Sequence, residues 1–449
     1  MQGLVNRGRR VAAPERVVVL NSRAADKRIR DRDCRRPGFD VNLGEPRRSA
    51  RLVARARGDC EQSLAVEHHI LFDKEGLVGK HRRDIVFARN IRGRQNGDNS
   101  GRGDAASAID KAPHRLEGQF SIGGQEHFYL EGQASFAFPG EADEMTVHAS
   151  TQDPTETQHI VARVLGIPDA FVTVETRRMG GGFGGKESQA CAWAAIAALA
   201  ARVTGRPCKI RLDRDDDFAL TGKRHDFRAD WRVGYDDQGV VAGYEVALNA
   251  RCGCSADLSP GVCDRAMFHA GNGYWLPEIS ILTRRLKTNT VSNTAFRGFG
   301  GPQGMIAIER VMDAIARDRG LDPLDVRKAN LLRPGFDRTP YDQTVEDFGT
   351  QREIIEDLEV SSNYRARRER IAAFNTESPI IKRGIALTPV MFGISFTLIP
   401  LNQATALVHV YSDGSIHLNH GGTEMGQGLF TKARKLWPKN SACRCISYA

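Results

Sequence analysis

The chain has 449 residues and a formal net charge of +9, from 64 Lys+Arg against 55 Asp+Glu. That length allows two or three domains with a sizeable buried core. Residues 1–100 hold 23 of the basic and 13 of the acidic side chains, a net of +10, so the remaining 349 residues sum to −1. The basic balance is therefore local, and it excludes nucleic-acid binding as an inference from overall charge.

The first segment is arginine-heavy (RGRR, RIRDRDCRR, RRSARLVARAR), and its apolar runs at residues 17–20 and 70–72 are short. It has no sustained helical or strand period. Residues 1–102 are expected to be non-native sequence from another reading frame, or a disordered stretch. A basic arm for nucleic acid or a membrane surface is the alternative. No apolar run approaches the ~20 residues of a membrane span, and the N-terminus has no signal-peptide apolar core. Among nine cysteines, Cys252, Cys254 and Cys263 lie close together, as do Cys443 and Cys445. Neither group has the spacing of a zinc or iron–sulfur site, so free thiols in a cytoplasmic protein are expected.

The character changes near Gly103. Residues 104–140 alternate apolar and polar side chains like strands separated by turns. TQHIVARVLGI (157–167) has a 3.6-residue apolar period and stops before Pro168. AFVTVETRRM (170–179) reads as a strand. SQACAWAAIAALAARVTG is an alanine-rich helix closing on Gly205. CKIRLDRDDD and DFRADWRVGYDDQGVVAGYEVALNA read as strands, the latter with a DDQG hairpin turn. GMIAIERVMDAIARDRG is a further helix. GIALTPVMFGISF and ATALVHVYSDGSIHLNHGG read as a strand-rich section. Strands and helices mixed in this way predict an α+β architecture with mixed sheets.

Three glycine-rich loops punctuate these elements: MGGGFGGKE (179–187), AFRGFGGPQG (295–304) and HGGTEMGQG (420–428). Glycine lets the backbone approach a bulky ligand and turn its N–H groups inward as an anion-binding concavity. One such loop is weak evidence. Three, none a repeat of another, argue for one large anionic cofactor gripped from several sides. A nucleotide reading of residues 180–186 competes, since Gly180-x-Gly182-x-x-Gly185 fits the dinucleotide fingerprint and Gly180-x-x-x-x-Gly185-Lys186 most of a P-loop. Glu187 stands where Ser or Thr should hold magnesium, and hairpins rather than crossovers follow. A purely structural turn is the third reading.

Eight motifs then carry a resemblance. IGGQEHFYLE, STQDP, RRMGGGFGGKE, LDRDDDFALTGKRH, DRAMFH, SNTAFRGFGGPQG, MFGISFTLIPLNQA and HGGTEMGQGL occur in that order. Together the stretch resembles the molybdenum-binding subunit of the xanthine dehydrogenase and aldehyde oxidase family, from about Gly103 to Lys432. The resemblance implies a first molybdopterin-binding domain over 103–345 and the start of a second over 346–432, with 433–449 as an aberrant tail. It implies a molybdenum–molybdopterin cofactor, including the cytosine dinucleotide form. Gln152, Gly182, Phe183, Gly184, Arg297, Gly422, Gly426 and Gln427 match cofactor-contacting positions, with Gln152, Phe183 and Arg297 nearest the metal.

On the substrate side, Glu187 and Arg265 match the pair that orients a purine from opposite edges. Phe299 and Phe396 match the phenylalanines that hold the flat ring, and Thr397 matches a neighbouring contact. Purine hydroxylation is the activity implied, with iron–sulfur clusters and FAD on a partner subunit. The family's catalytic base is a glutamate in a GEPP-like motif that does not occur in this sequence. A chain of this kind is expected to be inactive by itself. A non-catalytic remnant binding purine or pterin is the alternative.

Overall fold

The computed structural model describes residues 100–394, Phe396 and residues 405–436, together with three short strands at Val18–Leu20, Val86–Ala88 and Ile446–Ser447. The expected foreign segment, most of the tail and Thr397 lie outside the described residues. Two compact units form: one takes 1–67, 127–222 and 404–449, the other 68–126 and 223–403. No helix among the described residues is long and apolar enough to cross a membrane.

In the first unit a five-stranded mixed sheet runs in the order Val18–Leu20, Cys208–Arg211, Ala134–Pro139, Met145–Ala149, Val172–Glu175. Met145–Ala149 and Val172–Glu175 are parallel, so a crossover must join them, and helix Pro154–Leu165 supplies it. Asp153 caps this helix by accepting from the Glu156 N–H, and Gly166 ends it in the left-handed region at φ 67°. Helix Gln189–Thr204 buries Ala194, Ala195, Ala197, Ala198 and Ala201 against the sheet. Methyl-sized side chains let helix and strands approach closely, and Gly205 closes the helix at φ 64°. Further along, Ala406–Val410 and Ile416–His420 pair as an antiparallel hairpin.

In the second unit a six-stranded sheet is ordered Val86–Ala88, Glu278–Lys287, Val241–Gly253, Phe227–Tyr235, His114–Ile122, with Ser100–Arg102 also on Glu278–Lys287. The DDQG turn joins two antiparallel strands as the sequence indicates, with Gly239 at φ 77°. Tyr244, Val246, Leu248 and Ala250 alternate into the core, the period-2 pattern of a half-buried strand. Val241–Gly253 and Glu278–Lys287 are parallel, and helix Ser259–Phe268 lies in the crossover between them. Helix Gly301–Arg319 buries Met305, Ile308, Met312 and Ile315 at helical spacing.

Mixed sheets with helices make this an α+β protein. Local readings needed correction at four places. Residues 105–111 form a helix, not a strand, because Asp104 accepts from the Ser107 N–H and nucleates a short alanine-rich turn. Arg214–Leu220 is also helical: Asp213 caps it, and three aspartates occupy the dipole-favoured first turn. Residues 384–394 join no strand ladder. Their backbone is satisfied by side chains instead: Asn272 accepts from the Met391 N–H and donates to the Pro389 carbonyl, and His269 Nε2 accepts from the Gly393 N–H. The strand expected over 170–179 is shortened to Val172–Glu175.

Candidate functional site

In the first unit, the loop after strand Val172–Glu175 carries consecutive amides on an unusual backbone. Gly181 and Gly184 have φ of 95° and 98°, and Phe183 between them sits at φ 54° with its ring exposed. A non-glycine residue there is uncommon and persists only when the surroundings over-determine it. Gln152 is one such determinant. Its Oε1 accepts from the Gly184 N–H at 2.8 Å and the Lys186 N–H at 3.3 Å, and its own N–H donates to the Lys186 carbonyl at 2.8 Å. Two backbone donors on Oε1 fix the orientation of the amide. Its Nε2 makes no hydrogen bond among the described residues, so the donor end is what Gln152 can offer a ligand. A Cβ on Gly182 would come within 2.5 Å of Gln152 Oε1, so any larger residue there would push the glutamine side chain out of its place.

Glu187 follows the loop, half-buried just before helix Gln189–Thr204, where the helix dipole favours a carboxylate. The 420–428 loop reaches the same region, since the Met179 N–H donates to the Glu424 carbonyl at 2.9 Å. Glu424 organises that loop: its carboxylate accepts from the N–H groups of Gly426, Gly428 and Phe430, and although burial is the largest single influence and raises its pKa, these backbone donors together outweigh it and hold the carboxyl below the usual range. Gln427 spends both ends of its amide within the loop, on Thr423 O and Met425 N. Gly422 and Gly426 are exposed, the latter at φ 108°. The first unit thus brings together Gln152, Gly182, Phe183, Gly184, Glu187 and the 422–427 loop.

The second unit assembles the rest. Gly298, Phe299 and Gly300 have φ of 95°, 48° and 96°, the same pattern as the first loop, and Arg297 beside them is exposed. Arg224 holds the loop's start: its Nη2 donates to the Arg297 carbonyl at 2.9 Å, its Nε to Gln125 Oε1 at 3.0 Å, and its guanidinium lies 3.9 Å from the Phe296 ring centre. Burial pulls the Arg224 pKa down to about 10, and its Nη1 finds no partner among the described residues. Arg265 is buried on helix Ser259–Phe268, donates to the Gly393 carbonyl, and sits 5.8 Å from the Phe299 ring and 5.1 Å from Phe392. Burial lowers its pKa, yet a guanidinium stays charged. Phe299 and Phe396 are in direct contact, with ring centres 5.0 Å apart and planes at 49°. Arg265, Phe299 and Phe396 are therefore neighbours.

Sequence reasoning missed Arg224, Glu424, Glu131 and His269. Polar side chains inside otherwise ordinary motifs gave no signal of their own. The nucleotide reading of residues 180–186 fails on geometry. The Lys186 amine is fully buried and engaged with Ser150 and Glu131, so it cannot reach a phosphate.

Each unit thus carries a glycine loop with left-handed Gly–Phe–Gly backbone, the first beside a glutamine donor and the second beside an exposed arginine and a buried guanidinium. The chain belongs to the molybdopterin cofactor-binding domain family: one model of that description matches residues 89–331 and a second matches 357–437. It is 49% identical over 332 residues to the xanthine dehydrogenase/oxidase of Gallus gallus, covering 74% of this chain and 24% of that protein. It is 46% identical over 330 residues to the xanthine dehydrogenase of Dictyostelium discoideum, covering 74% and 24%. The chain thus spans about a quarter of the length of these relatives. Among solved structures, the aldehyde oxidoreductase from Desulfovibrio gigas superposes with a TM-score of 0.65 at 26% identity, over 78% of this chain and 38% of that one. Quinoline 2-oxidoreductase from Pseudomonas putida 86 superposes at 0.62 and 21% identity, covering 81% and 46%, a likeness of fold alone.

Proposed function

We propose that this chain supplies the cofactor- and substrate-holding part of a molybdenum hydroxylase acting on purines. The observation that carries the reading is the cradle around residues 181–184, where a Cβ on Gly182 would collide with Gln152. The residues fit the group: Gln152 presents an amide donor, the glycine loop presents backbone N–H groups, and Arg297 with the unpartnered Nη1 of Arg224 presents guanidinium donors to oxygen-rich acceptors. Gly422 and Gly426 offer exposed backbone in a further loop. When bound, the molybdenum–molybdopterin group supplies the two-electron redox chemistry of hydroxylation.

The chain's own residues do the rest. Glu187 and Arg265 are assigned to opposite edges of a purine, and Phe299, Phe396 and Thr397 to its ring. Arg265 is desolvated and cationic, so it stabilises negative charge growing on the ring far more than an exposed arginine would. The general base is assigned to a glutamate absent from these 449 residues. Iron–sulfur clusters and FAD are assigned to a partner, in a cytoplasmic setting.

Co-expression with an iron–sulfur/flavin partner, followed by molybdenum analysis and xanthine-dependent dye reduction, tests the reading. The chain with partner is expected to retain molybdenum without turnover. Absence of molybdenum would defeat the cofactor assignment, and turnover would defeat the assignment of the base. For substrate class, purine binding to the loaded complex is measured by calorimetry. Arg265→Met is expected to weaken it about tenfold or more, with molybdenum content unchanged. Unchanged purine affinity would remove Arg265 from the substrate site.

A further inference from the structure

We infer that Glu131 and Lys186 are positioning residues that set the conformation of the 180–186 loop from beneath, an inference that deepens the cofactor reading above and rests on it. The two side chains, Lys186 buried and Glu131 partly exposed, meet in the first unit and touch both ends of the loop. Glu131 Oε2 accepts from the Gly180 N–H at 2.7 Å, where the loop begins, and from the Ser150 hydroxyl at 3.0 Å. Lys186, where the loop ends, returns its amine to Ser150 Oγ at 2.8 Å and to Glu131 Oε2 at 3.4 Å. A single carboxylate oxygen therefore staples the loop's first amide to its last side chain.

Several surrounding groups preserve that staple. The Lys186 amine is 4.6 Å from the Tyr129 ring centre, a cation–π contact with a neighbour that is itself buried. The Tyr129 hydroxyl donates to Asp217 Oδ1 at 2.6 Å and accepts from Gln133 Nε2 at 3.0 Å, and Gln133 Nε2 also donates to the Gly185 carbonyl at 2.9 Å. Under Gly185 lies the His127 ring, 2.7 Å from where a Cβ would stand. A fully buried lysine is costly unless paired, so this one persists because Glu131 and Ser150 hold it. Burial draws the Lys186 pKa down while Glu131 opposes the change. The lysine amine is spent on Ser150 and Glu131, and the carboxylate on Lys186, Ser150 and the Gly180 N–H. What the pair controls is where the amides at 182–184 point.

The test uses the full chain co-expressed with its partner, and two readouts besides turnover: molybdenum content, and amide hydrogen–deuterium exchange of peptide 180–186 relative to helix Gln189–Thr204. Lys186→Met keeps the volume, strands the Glu131 charge, and is expected to raise loop exchange about tenfold while helix exchange stays put. Molybdenum content should fall with it. Glu131→Gln keeps an acceptor for Gly180 and should give a smaller change. In the double variant the stranded charge is gone, so loop exchange should return toward the parent value. Unchanged loop exchange in both single variants would overturn the inference. So would a rise shared equally by loop and helix, since the pair would then be holding the unit together rather than the loop. Should Lys186→Met not fold, Glu131→Gln decides alone on the same two criteria. Loop exchange that responds in a chain never holding molybdenum would sink the cofactor reading and leave the positioning role standing.

Discussion

The loops at 180–187 and 297–304 look alike as text, and both place phenylalanine in the left-handed region between glycines, Phe183 at 54° and Phe299 at 48°. They are held for different reasons. The first is fixed by a polar network: Gln152 on its middle amides, Glu131 and Gln133 at its ends, Lys186 turned inward. The second is fixed largely by close backbone approach. Gly300 and Gly304 lie so near the Val262 and Ala266 carbonyls of helix Ser259–Phe268 that no Cβ fits at either position. Glycine thus makes room for side chains in one loop and for another helix in the other. The first loop should be tunable by charge, and the second should tolerate almost nothing.

The largest expected effect follows from that contrast. Gly300→Ala drives a methyl into backbone that cannot rotate away, at a residue already at φ 96°. A loss of about 4 kcal/mol or more is expected, at the diagnostic end of the scale for single substitutions. Urea denaturation followed by Trp fluorescence measures it. A loss under about 1 kcal/mol would mean that helix Ser259–Phe268 can slide, and that the second loop is not set by close packing.

The first loop should respond more gently. In Gly182→Ala the new Cβ meets the end of the Gln152 side chain, 2.5 Å from Oε1, and a side chain can give way. The cost is the hydrogen bonds that Gln152 makes to Gly184 and Lys186, about 1–2 kcal/mol. Molybdenum content should drop further than stability. Combining the change with Gln152→Ala removes the clash, so the two losses should be less than additive. Full additivity would show that Gln152 is not what glycine makes room for.

Much of this architecture was legible beforehand. Helical periodicity, terminal Gly205 and Gly320, and the DDQG turn each expose a local rule, and local rules locate Gln189–Thr204, Gly301–Arg319 and the hairpin around Gly239. The readings failed where tertiary partners replace local ones. Residues 384–394 have the apolar alternation of a strand, but Asn272, His269 and Arg265 satisfy their backbone instead of a neighbouring strand. Helices Gly349–Ser361 and Tyr364–Glu377 went unread because each buries little more than one side chain, Ile355 and Tyr364, and so shows no apolar stripe. For the site, the ordered motifs point to Gln152, Arg265 and Phe299. The residues that hold them, Glu131, Arg224 and His269, are visible only through distances.

His269 gives the smallest effect and separates the two regions by pH. It follows helix Ser259–Phe268, with Nδ1 2.8 Å from the Arg265 carbonyl and Nε2 accepting from the Gly393 N–H at 3.1 Å. A carbonyl cannot donate, so the proton sits on Nδ1 and the neutral ring is the form that fits. Burial first, and the Arg265 charge as well, hold its pKa below the ordinary value. The folded state therefore binds less proton than the unfolded one below about pH 6.5. Its contribution to stability is full above that pH and is lost as pH falls toward the lowered folded value, with a slope of at most one proton, about 1.4 kcal/mol per pH unit. His269→Gln removes the titration, so the stability difference between parent and variant should shrink or reverse as pH is lowered through 6.5 toward 5. Should that difference stay flat with pH, the imidazole is not held neutral by its two backbone partners.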